Sequence, residues 1–323
     1  MFLYHLTCLA ISLAVLVWGA DKFVDNSSLV AKKLGLSELT IGLTIVALGT
    51  SAPEIFVGIS SVLNGTEELA MGTVVGSNIS NIALIFGVSC IGLSTRPAKT
   101  PFIQFVPFIL GAIILGISLV DLKITSAESW IFLALFLAFI YVTYIGRGAD
   151  DEKEVVGSSD FKISLTIFFL IIGLLALIGG SNFAVIHAEK IAIMLNVPQL
   201  IIGLTIIAIG TSLPELAATI SAIMKNKNDM VIGNVIGSNV MNIALVVPII
   251  GIFSDTTLHS TIFSRDYLVM IIATILFVVV AASYSYSRLN INFIKFIGCL
   301  FVACLLYTSD AADDSLRVAL GGR

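Results

Sequence analysis

Charge is what this sequence has least of. Only 12% of its 323 residues are Asp, Glu, Lys or Arg, against 58% hydrophobic residues, and the mean hydropathy is +1.06. A water-soluble domain carries about 25% charged residues, so a soluble fold is excluded. The balance of 17 basic and 21 acidic residues, net −4, offers no basic patch for nucleic acid. Cysteine is scarce too: Cys8, Cys90, Cys299 and Cys304 lie in apolar segments without CxxC spacing. That pattern leaves neither a disulfide framework nor a zinc site, and reads as small buried side chains. The three histidines, His5, His187 and His259, sit near the ends of apolar segments and read as interfacial groups rather than proton relays. No Ser-His, paired-Asp or metalloprotease spacing occurs in the apolar segments, so no enzyme and no organic cofactor is expected.

Long apolar runs are what the chain has instead. Ten stretches are candidates to cross a bilayer: 4–24, 39–63, 69–93, 102–120, 128–146, 161–187, 199–224, 230–253, 267–284 and 292–307. The first lacks the basic start of a signal peptide and runs on into Asp21 and Lys22, so it reads as a membrane helix. With the N-terminus outside, twelve lysines and arginines between Lys22 and Lys295 fall on the cytoplasmic side. Only Lys123, Lys190 and Arg265 then lie outside, and this positive-inside bias predicts a multi-pass plasma-membrane protein with its N-terminus outside.

Two blocks of sequence occur twice. Ile41 to Glu54 (IGLTIVALGTSAPE) returns 161 residues later as Ile202 to Glu215 (IGLTIIAIGTSLPE), and Gly72 to Leu84 (GTVVGSNISNIAL) returns at the same offset as Gly233 to Leu245 (GNVIGSNVMNIAL). The expected architecture is therefore all-α: ten transmembrane helices in two five-helix halves. Residues 1–146 form the first half, with its repeat at about 39–93, and 161–307 the second, with its repeat at about 199–253. Residues 147–160 form a polar cytoplasmic linker, and 308–323 read as a non-native or disordered tail. An odd number of spans per half inverts the second copy, an arrangement by which secondary transporters build one midplane site open to either face.

Glu54 and Glu215 are the only charged residues in their apolar runs, 39–63 and 199–224. A carboxylate so placed marks an ion or proton pathway, because leaving it unpaired in hydrocarbon costs several kcal/mol. Pro53 and Pro214 deny the helix a donor and disfavour helical geometry just before them, while Gly49 and Gly210 add freedom. The carbonyls around Ala47 and Ala208 are expected to be partly freed, close to Thr50, Ser51 and Glu54 and to Thr211, Ser212 and Glu215. In the second block Ser77 and Asn81 share a helix face, as do Ser238 and Asn242, and Gly72, Gly76, Gly233 and Gly237 permit close helix packing. Packing alone is the bland reading of these small and polar residues, but their joint recurrence at one offset argues for a site. Every candidate ligand is an oxygen, which suits calcium, magnesium or sodium and argues against zinc or copper.

At these residues the chain resembles the cation/calcium exchanger superfamily, and within it the compact prokaryotic sodium/calcium exchangers, whose alpha repeats carry the twin GTS-x-PE and GSN-x-x-N blocks. The resemblance implies ion ligands at Ser51, Glu54, Ser77 and Asn81 from the first half and Ser212, Glu215, Ser238 and Asn242 from the second. It adds Thr50 and Thr211, with the carbonyls of Ala47 and Ala208, as sodium contacts. It also implies that the first and sixth helices slide to switch access. Asparagine at both 81 and 242 departs from relatives with Asp there and argues against potassium co-transport. The expected activity is antiport of sodium against calcium, with the two ions and the lipid bilayer as partners and no obligatory protein partner. A proton- or other-cation-coupled divalent exchanger and a cation channel are the alternatives.

Overall fold

The computed structural model describes residues 1–92, 100–146, 162–197, 208–254, 257–285 and 290–303. These residues are all helical apart from their connections. The linker at 147–160, the tail at 308–323 and the start of the 199–224 run lie outside them.

Chain order gives α1 (Phe2–Leu34), the bent pair α2 (Glu38–Thr50) and α3 (Ala52–Leu63), α4 (Glu67–Gly92), α5 (Phe102–Asp121) and α6 (Ser126–Ile145). Then follow α7 (Ile163–Met194), α8 (Leu213–Met224), α9 (Asn228–Phe253), α10 (Ile262–Ser283) and α11 (Ile291–Ala303). Among the described residues seven helices are long and apolar enough to cross a membrane, and α2 with α3, bent by 46°, makes an eighth if counted as one span. The helices α8 and α11 are apolar but shorter.

The first helix runs ten residues beyond the expected end at Val24. Its extension stays helical because Asn26, Ser27, Ser28 and Val30 are buried and its acidic residues find partners. Lys225 lies 2.5 Å from Asp21 and 2.7 Å from Asp25, and Lys227 lies 3.2 Å from Asp25. Burial holds the Lys227 ammonium below the usual lysine range, opposed by the Asp25 charge. Gly35, at φ 63°, then takes the left-handed turn that ends α1, and Ser37 caps α2 by accepting the Thr40 N–H.

The long helices α1 and α7 pack against each other through backbone. A Cβ on Gly19 would lie 2.5 Å from the Leu177 nitrogen and 2.8 Å from the Gly173 oxygen. A Cβ on Gly180 would lie 2.6 Å from the Leu16 nitrogen and 3.0 Å from the Ser12 oxygen. The second set of contacts is the first with each partner exchanged for its counterpart 161 positions away. At one end of the pair, His5 and His187 meet with Nδ1 atoms 2.9 Å apart, so these two histidines bridge helices rather than stand alone at an interface.

The remaining helices form the body. Every residue of α9 from Met230 to Met241 is buried, which makes it the central element. One side packs on α2, next to a core shared by Phe23, Ile41, Leu177 and Met230; the other packs on α4, α5 and α6, with α10 against α4 and α5 around Phe86, Phe108 and Phe277. Phe86 and Phe277 meet edge to face with ring centres 4.7 Å apart. Cys8, Cys90 and Cys299 are free thiols; Cys90 is buried as expected, whereas Cys8 is half-buried and Cys299 exposed, and Cys304 lies outside the described residues.

Candidate cation site

Both repeats break their helix at the same residue type. Ser51 (φ −80°, ψ 2°) and Ser212 (φ −93°, ψ 6°) leave helical geometry, and each begins a new helix with proline in its first turn. The break thus falls two residues before Pro53 and Pro214, not one. The prolines are accommodated where a helix has no use for their N–H, and they start α3 and α8 more than they kink α2. Glu54 and Glu215 consequently sit in the first turn of a helix, where the helix dipole favours a negative charge.

One expected consequence is corrected. The Ala47 carbonyl is not freed by the break: it accepts the Ser51 N–H at 2.9 Å, and the Thr50 hydroxyl lies 3.4 Å away. The carbonyl that proline deprives of its donor stands four residues back, at Gly49 and Gly210. In the second half the Ser181 hydroxyl, from α7, donates to the Gly210 oxygen at 3.0 Å. The counterpart of Ser181 in the first half is Ala20, which has no donor to give.

The second blocks also leave regular α geometry together. Asn81 and Asn242 each open a π-helical turn, Asn81–Phe86 and Asn242–Val246. Such turns widen the helix and recur at functional sites. The halves interlock across them: α3 packs on the turn that begins at Asn242, and α8 on the one that begins at Asn81. Each glutamate-bearing helix therefore faces the asparagine turn of the opposite half.

The two carboxylates are buried, Glu54 at 1% exposure and Glu215 at 0%. The Ser51 hydroxyl donates to Glu215 Oε1 at 3.2 Å, a direct bond between the halves. Ser77, Asn81, Ser238 and Asn242 are buried as well. Both oxygens of Glu54, Oε2 of Glu215, the amide atoms of Asn81 and Asn242, and the Ser212 hydroxyl have no hydrogen-bond partner among the described residues. Native interiors leave few polar atoms so, and a cluster of orphaned acceptors beside two carboxylates fits a hard cation as substrate. Thr211 has a polar partner of its own, and Ala208 starts the single turn that precedes Ser212.

The sequence reading missed Asn234. Its Oδ1 accepts from Thr50 Oγ1 at 3.3 Å and from Ser238 Oγ at 3.4 Å, and its Nδ2 reaches Thr219 Oγ1 at 3.5 Å. The available signal was the change from Thr73 to Asn234, one of four differences between the blocks and the one that puts an amide in place of a hydroxyl. Small-residue packing proved unequal between the blocks. A Cβ on Gly233 would lie 2.8 Å from the Leu43 nitrogen and one on Gly237 2.6 Å from the Ala47 Cβ, whereas Gly72 and Gly76 would meet nothing within 4 Å among the described residues.

Comparison with known proteins agrees with this geometry. The family described as sodium/calcium exchanger protein matches residues 4–145 and 165–308. The chain is similar to a protein named putative antiporter CaxA from Alkalimonas amylolytica, 34% identical over 306 residues, 92% of this chain and 94% of that one. It is also 44% identical over 100 residues to the sodium/calcium exchanger MaX1 of Methanosarcina acetivorans, 31% of this chain and 28% of that one. Among solved structures, the sodium-calcium exchanger NCX_Mj soaked with Na+ and Sr2+ superposes with a TM-score of 0.80 at 28% identity, covering 96% of this chain and 99% of its own. The family match spans nearly the whole chain and the paired Glu-Ser-Asn cluster is in place: the chain belongs to the sodium/calcium exchanger family.

Proposed function

We propose that the chain is a secondary active antiporter that exchanges sodium for calcium by alternating access at one site midway through the bilayer. The observation that carries this reading is the pair of buried carboxylates, Glu54 and Glu215, contributed by equivalent positions of two repeats and joined through Ser51. Two negative charges balance one divalent or two monovalent cations, and that equivalence makes the ions competitors for one place. Antiport requires such competition, because each ion must leave before the other is carried back.

The ligands in this reading are the carboxylates of Glu54 and Glu215, the amide oxygens of Asn81 and Asn242, and the hydroxyls of Ser51, Ser77, Ser212, Ser238, Thr50 and Thr211. The carbonyls of Ala47 and Ala208 complete the set, Ala47 through its second lone pair. Calcium takes six to eight oxygens, a number this set supplies. The chain forms ten spans in two inverted halves, 1–146 and 161–307, joined by a cytoplasmic linker, with the N-terminus outside a plasma membrane. The reciprocal contacts of α1 and α7 support the inversion, because exchange of counterparts is what a two-fold axis produces.

The test is sodium-driven uptake of radiolabelled calcium into proteoliposomes. Glu54→Gln and Glu215→Gln, each nearly isosteric, are expected to abolish it while the purified protein stays monodisperse. Undiminished exchange in both variants refutes the site, and calcium flux that needs no counter-ion identifies a channel instead.

A further inference from the structure

A hydroxyl can serve a cation only when its own proton points elsewhere. An oxygen offers its lone pairs to the ion, and a proton aimed at the ion would repel it. What receives the protons of ligand hydroxyls is therefore part of the site, although it need not touch the ion.

Asn234 stands in that place. It lies one helical turn before Ser238 on α9 and is 2% exposed. The amide oxygen has two lone pairs, and both are used: one by Thr50 from the first half, one by Ser238 from the second. The amide nitrogen donates to Thr219 Oγ1, which sets the polarity of the group. Were the amide turned over, its N–H groups would face both hydroxyls and drive their protons away from α9.

We infer that Asn234 is a positioning residue that holds the Thr50 and Ser238 hydroxyls with their lone pairs toward the cation, and thereby sets the sodium affinity of the exchanger. The inference rests on the exchange function proposed above. Thr50 makes the point sharpest. Its proton has two neutral acceptors within reach, Asn234 Oδ1 at 3.3 Å and the Ala47 carbonyl at 3.4 Å. That carbonyl already accepts one N–H. With the proton on Asn234, both the hydroxyl and the second lone pair of Ala47 remain available. Without Asn234 the proton goes to Ala47 and occupies that carbonyl's second lone pair, so a neutral oxygen is lost to the cation.

The device is built into one half only. The counterpart position holds Thr73, whose hydroxyl turns back to its own helix at Leu69 O, 2.8 Å away. Neutral oxygens matter most to a monovalent ion, whereas a divalent ion is held chiefly by carboxylate charge. The loss should accordingly fall on sodium.

The experiment compares wild type with Asn234→Leu in proteoliposomes, reading half-saturating sodium for sodium–calcium exchange and half-saturating calcium for calcium–calcium exchange. Loss of one hydrogen bond to a ligand group predicts about a tenfold rise for sodium, with less than about a twofold change for calcium. Thr50→Val combined with Asn234→Leu should shift sodium no further than Thr50→Val together with the Ser238 share, so the two effects do not multiply. Thr219→Val, nearly isosteric, releases Nδ2 and should raise half-saturating sodium in the same direction, by about threefold. Equal losses for both ions, fully independent effects of Thr50→Val and Asn234→Leu, or an unchanged sodium response in Thr219→Val would each overturn the inference, the last even if Asn234→Leu does not fold. Glu54→Gln in parallel separates the two levels: if it still exchanges, the site itself is misassigned, whereas its inactivity beside an unshifted Asn234→Leu removes only the role of Asn234.

Discussion

Ser51 ends one helix, begins the next and lends its hydroxyl to the carboxylate of the other half. Deleting that bond removes from Glu215 the hydroxyl that donates to its Oε1. Ser51→Ala is therefore expected to weaken ion binding by about 1 kcal/mol, roughly fivefold in half-saturating calcium, with the fold intact. Ser181 makes the matching point at the Gly210 carbonyl, whose own helix cannot supply a donor because Pro214 follows. Ser181→Ala should lower stability by about 1–2 kcal/mol, read as an earlier melting transition in detergent. At this scale the glutamates and prolines were legible in the amino-acid sequence, because a charge or an imino ring in an apolar run is a local signal. The Ser51–Glu215 bond and the role of Asn234 were not, since each joins residues more than 160 positions apart and depends on how the halves are set against one another.

Helices in this protein approach one another through glycine, but not equally in the two repeats. On α9, Gly233 and Gly237 lie against the backbone and Ala47 of the first half, so an added methyl has nowhere to go. Gly233→Ala should cost about 1–3 kcal/mol or more through overpacking. Gly72→Ala, with nothing within 4 Å among the described residues, should leave the melting transition near wild type. The sequence showed these glycines as matching pairs; their packing differs because it is decided by the partner surface and not by the spacing. Most helices were likewise visible as apolar runs. The overrun of α1 to Leu34 was not, because polar residues that leave the bilayer look like a loop until their partners on the α8–α9 turn are known. The π turns at Asn81 and Asn242 leave no mark in hydropathy at all.

For the molecule as a whole, Asp21 and Asp25 tie the C-terminal part of α1 to Lys225 and Lys227 beside the buried body. These side chains are partly exposed, so the attraction contributes no more than about 1 kcal/mol to stability. Its value lies in where it acts, between a long helix and the elements that bear the site. Asp25→Lys should slow calcium exchange by setting three cations together, and Lys225→Asp in the same chain should restore part of the rate; a double variant as slow as the single one would deny the ion pair any part in transport.

The α1–α7 seam has a consequence of its own. Its contacts map onto themselves when counterparts are swapped, so the surface that α1 offers is shaped for a partner much like itself. A side chain added at Gly19 is therefore met by the same kind of backbone, at equivalent positions, that a side chain added at Gly180 meets on the other helix.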